Sequence, residues 1–376
     1  MINRIRYLVD KTSQRIFFIL LTSIALVVYG FRGAQYRREL WGDDLELYLH
    51  AINRPSPTTS FGRFDHFGLF DSYNNYLIVW IRAYIHLAKL GPDSYFTFNA
   101  YVLMTISFAV ITSATCLVIS AKTSRKLALL SLGYCIFLPF SNLVILAQVN
   151  TIIWPLSLLL IVISATQTYP ESMPGRVFVA VLFFTTALST LTVVIALAFL
   201  GFNLIQNLKR LNRFEVLLFL ITTTSLFIQW KSYSPRNNPK LSLMGELYKA
   251  LYNFSPQYLR RNFGDPLLGF DLVFFWLIPI TLLLIWTMQA NFARSINLRS
   301  VLPSLKLFVG AFILVILLIH GNGWLNTHYL FIPAAMFWVS MVLLFHENRG
   351  RSTTGLAIAL TSSLFTISIS GVYYLL

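Results

Sequence analysis

The sequence predicts an all-α polytopic membrane protein with about 11 transmembrane helices and further juxtamembrane helices on the outer face. Hydrophobic residues make up 56% of the 376-residue chain, charged residues make up 11%, and the mean hydropathy is +0.67. Apolar runs long enough to cross a bilayer recur along the chain. These runs are continuous rather than alternating, which disfavours a β-barrel. The whole chain, 1–376, is therefore predicted to form a single transmembrane domain.

The first span is predicted at about 16–31, after a polar segment that contains Arg4, Arg6, Lys11 and Arg15. This basic segment predicts a cytoplasmic N-terminus, so the chain emerges on the outer face after the span. No small-residue cleavage site follows the apolar run, and we expect the helix to be retained.

Two outer loops interrupt the spans. The first loop, 32–96, contains a helical pattern at Leu40–Ile52 and an apolar, aromatic helix at Tyr73–Leu90, and both could lie at the membrane surface. The second loop, 231–267, contains a similar pattern at Leu243–Phe254.

The remaining spans follow from apolar runs and from the polar residues that break them. Gln148, Val149 and Asn150 predict an outer turn within the run 127–166, and Ser189, Thr190 and Thr192 predict another within 177–206. Spans are expected in these runs: one at 97–120, two within 127–166, two short ones within 177–206, and one each at 215–230, 268–289, 306–320, 329–345 and 354–375.

The distribution of charge supports this topology. The predicted inner segments contain 16 of the 29 Lys and Arg residues but only 4 of the 14 acidic residues. The net charge of +15 is spread over short loops and forms no basic domain, so we expect no nucleic-acid partner. We expect a multi-pass protein of the inner cell membrane that contacts membrane lipids.

Asp43 and Asp44 are the most informative residues of the first outer loop, because two adjacent carboxylates follow the first span by about a dozen residues. One of them can cap the helix that follows, since Asp is favoured at helix N-termini. One of them can also serve as a general base or a metal ligand. The two interpretations are compatible, with one Asp as the cap and the other as the base.

A divalent cation is a second, weaker possibility in this loop. Asp43, Glu46 and His50 have the spacing i, i+3 and i+7, which places them on one helical face. A solvated polar face has the same pattern, so both interpretations stay open and the cation is a possible cofactor.

Basic residues of the outer loops form a candidate phosphate-binding set, because arginine binds phosphate with two parallel hydrogen bonds. Binding to lipid headgroups is the alternative. Arg260 and Arg261 stand beside aromatic residues, and Arg82 lies in an apolar helix where an uncompensated charge is costly. The candidates for this role are Arg63, Arg82, Arg260, Arg261 and His328.

The sequence lacks a phosphate-binding GxxxxGK[ST] loop, an HExxH motif and a GxSxG motif. Charged residues are scarce within the spans and crowd at the predicted outer surface instead. That distribution disfavours a transporter, which commonly has charges near the middle of the membrane.

The layout resembles the GT-C superfamily of integral-membrane glycosyltransferases. The features that carry the resemblance are Asp43-Asp44 in the first outer loop and the helix Tyr73–Leu90 with Arg82. The turn Asn150-Thr-Ile-Ile-Trp154-Pro155 and the re-entry His328-Tyr329-Leu-Phe-Ile-Pro333 are also similar to bacterial members.

The resemblance implies a GT-C-like fold and a polyprenyl-phosphate sugar donor used on the outer face of the cytoplasmic membrane. The acceptor would be a glycan or a lipid, and transfer would invert the anomeric carbon. Asp44 is the expected general base, because it continues a polar face with Tyr48, and Asp43 is next. The basic set, with His328 and Tyr329 at the re-entry, would bind the donor phosphate.

Two other classes remain open. A polysaccharide polymerase or ligase that uses a polyprenyl-pyrophosphate donor would depend on Arg260 and Arg261 more than on the acidic pair. A non-enzymatic lipid or solute transporter would function without Asp43 and Asp44.

Overall fold

The computed structural model describes residues 2–33, 72–73, 76–129, 131, 149–232, 298–322 and 331–347. Across these ranges the chain is almost entirely helical, apart from one pair of two-residue strands. Several of the helices are apolar throughout, which indicates a membrane protein.

The chain divides into two compact units, one comprising Met1–Ala121 with Leu143–Pro235 and the other Lys122–Asn142 with Arg236–Leu376. The regular elements of the first unit are α1 (Ile2–Gly33), β1 (Ser72–Tyr73), β2 (Tyr76–Leu77), α2 (Val79–Ala88), α3 (Phe96–Lys122), α4 (Ile153–Thr166), α5 (Met173–Ala187), α6 (Val194–Gln206) and α7 (Arg213–Ser232). Short 3₁₀ turns occupy Asp93–Tyr95, Val149–Ile152, Leu191–Val193 and Leu208–Arg210. The described helices of the second unit include α8 (Leu298–Asn322) and α9 (Phe331–Glu347).

Three helices of the described chain are long and apolar enough to cross a membrane, namely Thr12–Phe31, Phe96–Lys122 and Arg213–Lys231. Each coincides with a predicted span, and α8 and α9 occupy two further predicted runs. The total of about 11 spans stays a prediction, because the runs 268–289 and 354–375 lie outside the described residues. The two predicted surface helices, Leu40–Ile52 and Leu243–Phe254, lie outside them as well.

The predicted break within 177–206 is confirmed. Helix α5 ends at Ala187, and α6 begins at Val194 after a 3₁₀ turn. The Thr190 hydroxyl accepts a hydrogen bond from the backbone N–H of Thr192 and so caps that turn. Threonine and serine favour such turns because their hydroxyls bond to nearby backbone groups.

The predicted helix Tyr73–Leu90 is shorter than expected. Helix α2 begins only at Val79, because the residues before it form an antiparallel pair in which Tyr73 is opposite Tyr76. The sequence places Asn74 and Asn75 between the two strands, and asparagine favours turns over helix interiors.

Among the described helices of the first unit, α4 has the largest share of buried side chains. Its side chains are buried from Trp154 through Thr166, as expected for a helix that is apolar on all sides. Ser164 and Thr166 donate hydrogen bonds to the carbonyls of Leu160 and Val162, at 2.8 and 2.7 Å, so their hydroxyls are satisfied within the helix itself.

Helices α1 and α3 pack against each other through aromatic side chains. The Tyr29 hydroxyl lies 3.1 Å from Thr112 Oγ1, and its ring meets Phe108 edge-on with centroids 5.7 Å apart. Tyr101 donates to the carbonyl of Gly30 at 2.6 Å. The last turns of α1 are therefore held by α3, and the chain that leaves α1 starts from this contact.

In the second unit, α8 and α9 are joined by a reciprocal serine pair. Ser304 Oγ lies 2.7 Å from the carbonyl oxygen of Ser340, and Ser340 Oγ donates to the Ser304 carbonyl at 2.8 Å. The two hydroxyls are 3.0 Å apart and buried. Small polar residues allow helices in lipid to approach closely and bond to each other. Phe308 and Phe337 pack beside the pair, with ring centroids 5.5 Å apart.

We expect Ser304→Leu to weaken the α8–α9 contact by about 1–3 kcal/mol, because the larger side chain cannot fit where the helices touch. Ser304→Ala should cost only about 0.6 kcal/mol, since it removes one interhelical hydrogen bond but no packing. Unfolding in detergent measures both changes. Val309→Leu, at a half-exposed position of α8, is the control. Equal stability of Ser304→Leu and Val309→Leu would contradict the role of the pair.

Candidate functional site

One of the sequence-predicted site residues, Arg82, lies within the described part of the chain. The other predicted residues lie outside it, and their roles stay predictions: Asp43, Asp44, Glu46, His50, Arg63, Arg260, Arg261, His328 and Tyr329. The candidate site is therefore built from α2, which carries Arg82, and from the elements that hold α2. We call this region, comprising β1, β2, α2 and the turn 188–193, the hairpin end of the first unit.

Gln229 of α7 holds the backbone immediately before α2. Its side-chain oxygen accepts from the N–H of Leu77 at 2.8 Å, and its side-chain amide donates to the Leu77 carbonyl at 3.0 Å. The side chain thus occupies the place that a neighbouring strand would take beside β2. Both Leu77 and Gln229 are buried, so these bonds satisfy backbone groups that have no access to water.

Trp80 in the first turn of α2 is held by the end of α5. Its backbone N–H donates to Ser189 Oγ at 3.0 Å, and its indole Nε1–H donates to Thr186 Oγ1 at 3.2 Å. Ser189 Oγ in turn donates to the carbonyl of Thr185 at 2.8 Å. The first N–H groups of a helix lack partners within the helix, and Ser189 supplies one to Trp80 from a different segment.

A chain of buried hydroxyls connects the turn below α2 to the central helix α4. Thr192 Oγ1 donates to Ser157 Oγ at 2.8 Å and lies 3.1 Å from Thr190 Oγ1. Because these groups are buried, each hydrogen bond avoids the cost of an unsatisfied polar atom. The surface on which α2 rests is therefore fixed to the core of the unit.

The far end of α2 is fixed to α3. Asn99 Nδ2 donates to the carbonyls of Ala88 and Leu90 at 3.0 and 3.3 Å, which caps the last turn of α2. The hydroxyls of Tyr84 and Ser107 are hydrogen-bonded to each other. Helix α2 is thus attached at its start to α5 and α7, and at its end to α3.

Arg82 lies in the middle of this anchored helix and is fully buried. Its neighbours on α2, Ile81 and Ile85, are buried as well. A buried guanidinium requires compensation for its charge and its N–H groups, because desolvation of an ion is costly. Among the described basic residues, Arg82 and Lys306 are buried, and Arg82 is the more deeply buried of the two, at 0% exposure against 8%.

The attachment points of α2 lie far along α5 and α7 from the ends at which these helices begin. Gln229 follows Arg213 by 16 residues of α7, which is about 24 Å along the helix axis at 1.5 Å per residue. Thr186 follows Met173 by 13 residues of α5, or about 20 Å. Because a hydrocarbon core is about 30 Å thick, a layer that begins at the start of α5 and α7 includes the attachment points of α2.

The opposite end of the unit contains a buried carboxylate that the sequence interpretation counted only as an inner-loop acid. Glu215 Oε1 accepts from the Tyr169 hydroxyl at 2.7 Å and from Asn203 Nδ2 at 2.8 Å. Asn203 Nδ2 also contacts the carbonyl of Ser164 at 2.9 Å. These bonds join the ends of α4 and α6 to the start of α7.

A sequence signal for this network exists in retrospect. Asn212 Oδ1 accepts from the N–H of Phe214 at 3.0 Å and caps α7, so the pattern Asn-x-x-Glu at 212–215 is typical of a helix start. A carboxylate in the first turn of a helix is also stabilised by the helix dipole. The sequence did not show that Tyr169 and Asn203 would reach it.

Burial raises the pKa of Tyr169 well above its ordinary value of about 10, and the nearby Glu215 carboxylate raises it further. The cause is that an ionised phenolate would be poorly solvated and would repel the carboxylate. Tyr169 therefore remains a neutral hydrogen-bond donor to Glu215.

Among the described residues, no three His, Cys, Asp or Glu side chains are grouped so that they could hold a metal ion. The predicted cation ligands Asp43, Glu46 and His50 are not among them. Comparison with known proteins gave no matching family model, no matching curated protein and no matching solved structure.

Gln229→Met keeps the size of the side chain but removes both hydrogen bonds to Leu77. We expect the amides of α2 to exchange with solvent about 5- to 100-fold faster, because two buried backbone groups lose their partners. Hydrogen exchange of peptides covering 77–88, measured by mass spectrometry, tests this. Gln206→Met, at an exposed position, is the matched control. Unchanged exchange in Gln229→Met would contradict the anchoring role.

Tyr169→Phe should change the alkaline stability of the protein. The folded pKa is raised, so the folded protein keeps a proton that the unfolded chain releases above about pH 10. The stabilisation is complete below that pH and is lost as the pH rises towards the folded pKa. The variant should lose about 1.5–3 kcal/mol at neutral pH and show a flatter decline above about pH 10.

Thermal unfolding in detergent at a series of alkaline pH values measures both effects. Tyr95→Phe, at an exposed position, is the control. An alkaline decline in Tyr169→Phe as steep as in the wild type would show that Tyr169 is not its source.

Proposed function

We propose that the chain is a GT-C-type membrane glycosyltransferase, which transfers a sugar from a polyprenyl-phosphate donor to an acceptor glycan or lipid. The observation that carries the proposal is the placement of a fully buried arginine, Arg82, on a short helix fixed at one end of a bundle of apolar helices. A lipid-linked donor reaches its enzyme from within the bilayer, so its phosphate needs a cation near the membrane surface. We assign this role to Arg82 of α2.

The end of α1, which precedes the acidic pair in the sequence, contacts the same part of α3 that holds the end of α2. Helix α1 ends at Gly33, and Gly30 near its end is bonded to Tyr101 in the first part of α3. The same part of α3 holds the end of α2 through Asn99. Asp43 and Asp44 follow the end of α1 by about ten residues. The connectivity therefore supports a site that combines these carboxylates with Arg82.

The chemistry requires a base and a stabilised leaving group. Asp44, with Asp43 as the second candidate, accepts the proton of the acceptor hydroxyl, and the oxygen attacks the anomeric carbon. The bond from the anomeric carbon to the phosphate oxygen breaks, and the configuration inverts. The phosphate departs with both electrons of that bond.

The basic residues stabilise the charge that develops on the departing phosphate. Arg82 contributes from a buried position, where electrostatic interactions are stronger than in water. Arg63, Arg260, Arg261, His328 and Tyr329 stay sequence-based candidates for further contacts to the donor phosphate.

The proposed location is the inner cell membrane, with several passes and a cytoplasmic N-terminus. The starts of α5 and α7 carry Arg176 and Arg213, and basic ends of spans favour the cytoplasmic side. Helices α5 and α7 both run from that end to the hairpin end, so the hairpin end faces outward. A divalent cation on Asp43, Glu46 and His50 remains part of the proposal as an optional component.

The acidic pair is tested with purified protein in nanodiscs, using polyprenyl-phosphate sugars as donors in the absence of nucleotide sugars. We expect Asp44→Asn to lower the rate of sugar loss from the donor by about 10²- to 10⁴-fold, because general base catalysis contributes about that much. Glu171→Gln removes an exposed carboxylate at the other end of the unit and serves as the control. Loss of turnover when a chelator is added to the wild type would show that a divalent cation is required.

Full turnover in a folded Asp43→Asn/Asp44→Asn double variant would refute the proposed mechanism. The polymerase or ligase alternative predicts two results with a polyprenyl-pyrophosphate donor. Arg260→Gln/Arg261→Gln would lose activity, whereas Asp43→Asn/Asp44→Asn would keep it. Transport activity that survives loss of both acids would favour the transporter.

A further inference from the structure

The end of the first unit opposite the hairpin end presents four exposed cations. We call it the basic end and define it by Arg176, Lys209, Arg210 and Arg213. These residues come from the start of α5, the 3₁₀ turn after α6 and the start of α7. The nearby acids offset little of this charge, because Glu215 is buried in its hydrogen-bond network and Glu171 is a single exposed carboxylate.

The basic end rests on a fixed platform. Arg176 Nε donates to the carbonyl of Pro170 at 3.1 Å, and the guanidinium carbon lies 5.6 Å from the centre of the Phe214 ring. The Phe214 ring meets Tyr169 edge-on, with centroids 5.7 Å apart, and Tyr169 is bonded to Glu215. Cation–π and charge-assisted contacts of this kind hold a cation in place without neutralising it.

Exposed apolar side chains surround these cations. Met173, Ile205, Leu208 and Leu211 each have half or more of their surface exposed. In the run Leu208-Lys209-Arg210-Leu211 the two kinds of side chain are interleaved. A surface that combines cations with exposed apolar groups suits the boundary between lipid headgroups and acyl chains better than it suits water.

The length of α7 places the two membrane boundaries. Trp230 follows Arg213 by 17 residues, which is about 26 Å along the helix and close to the thickness of a hydrocarbon core. Lys231 Nζ lies 5.8 Å from the Trp230 ring centre and 5.7 Å from that of Phe227. Aromatic residues with a nearby lysine are typical of one interface, so the basic end lies at the other.

We infer that the basic end is a binding surface for the headgroups of anionic phospholipids. Lys209, Arg210 and Arg213 contact the headgroup phosphates, while Leu208 and Leu211 contact the upper acyl chains. The charge and the apolar rim both fit a lipid rather than a free anion, since a free anion gains nothing from the rim. The inference does not depend on the proposed glycosyl transfer, because it involves the opposite end of the unit.

Lipid retention measured by native mass spectrometry tests this surface. The full-length protein is released from detergent with phosphatidylglycerol or with phosphatidylcholine, and the number of bound lipids is compared at matched concentrations. We expect the wild type to prefer phosphatidylglycerol. Lys209→Gln/Arg210→Gln should lower its affinity for phosphatidylglycerol by about fivefold for each charge removed, and its affinity for phosphatidylcholine should not change.

A matched pair on a single helix provides the control. Arg213→Gln and Lys231→Gln each remove one exposed charge from α7, at opposite ends. We expect the first to reduce the preference for phosphatidylglycerol and the second to leave it unchanged. Thermal unfolding in phosphatidylcholine verifies that each variant is folded. If Lys209→Gln/Arg210→Gln is unstable, the single variant Arg210→Gln replaces it.

The assignment fails if the variants of Lys209, Arg210 and Arg213 keep the full preference for phosphatidylglycerol. It also fails if Lys231→Gln loses as much of that preference as Arg213→Gln. Inorganic phosphate is added at the ionic strength of a sodium chloride control to identify the ligand. Displacement of phosphatidylglycerol by phosphate but not by chloride would show a free-anion site and would overturn the assignment to lipid.

Discussion

The architecture of the first unit depends on the satisfaction of backbone hydrogen bonds where short helices end inside an apolar bundle. Helices α4, α5 and α6 contain 14, 15 and 13 residues, so each is about 20–23 Å long and falls short of a hydrocarbon thickness of about 30 Å. The polar groups at the ends that lie within such a layer cannot rely on water. The attachments of Leu77 to Gln229 and of Trp80 to Ser189 supply partners at this depth.

This constraint explains why α2 lies where it does. Helix α2 lies over the turn 188–193 and covers the backbone of that turn. The backbone N–H and the indole N–H of Trp80 donate there to the hydroxyls of Ser189 and Thr186. Serine, threonine and glutamine are the residues that make these contacts, and they cost less to bury than charged side chains because no ion has to be removed from water. Arg82 is the exception, and its complete burial is the reason for proposing a functional role for it.

The two ends of the first unit differ in which charge is buried. At the basic end, a buried carboxylate organises the platform while the cations around it remain exposed. At the hairpin end, the buried charge is instead the guanidinium of Arg82. The proposed donor phosphate and the proposed lipid headgroups would therefore contact different ends of the unit.

The sequence by itself determined that the chain is a helical membrane protein, where several spans lie, and that a break occurs near Ser189, because apolar runs and turn-forming residues act locally. It also identified Arg82 as unusual, since a charge in an apolar helix is costly wherever it is found. Only the tertiary structure decided that Gln229 binds Leu77, 152 residues away, and that Tyr169 and Asn203 enclose Glu215. Such pairings depend on how helices pack, and hydropathy and spacing contain no information about partners that are distant in the chain.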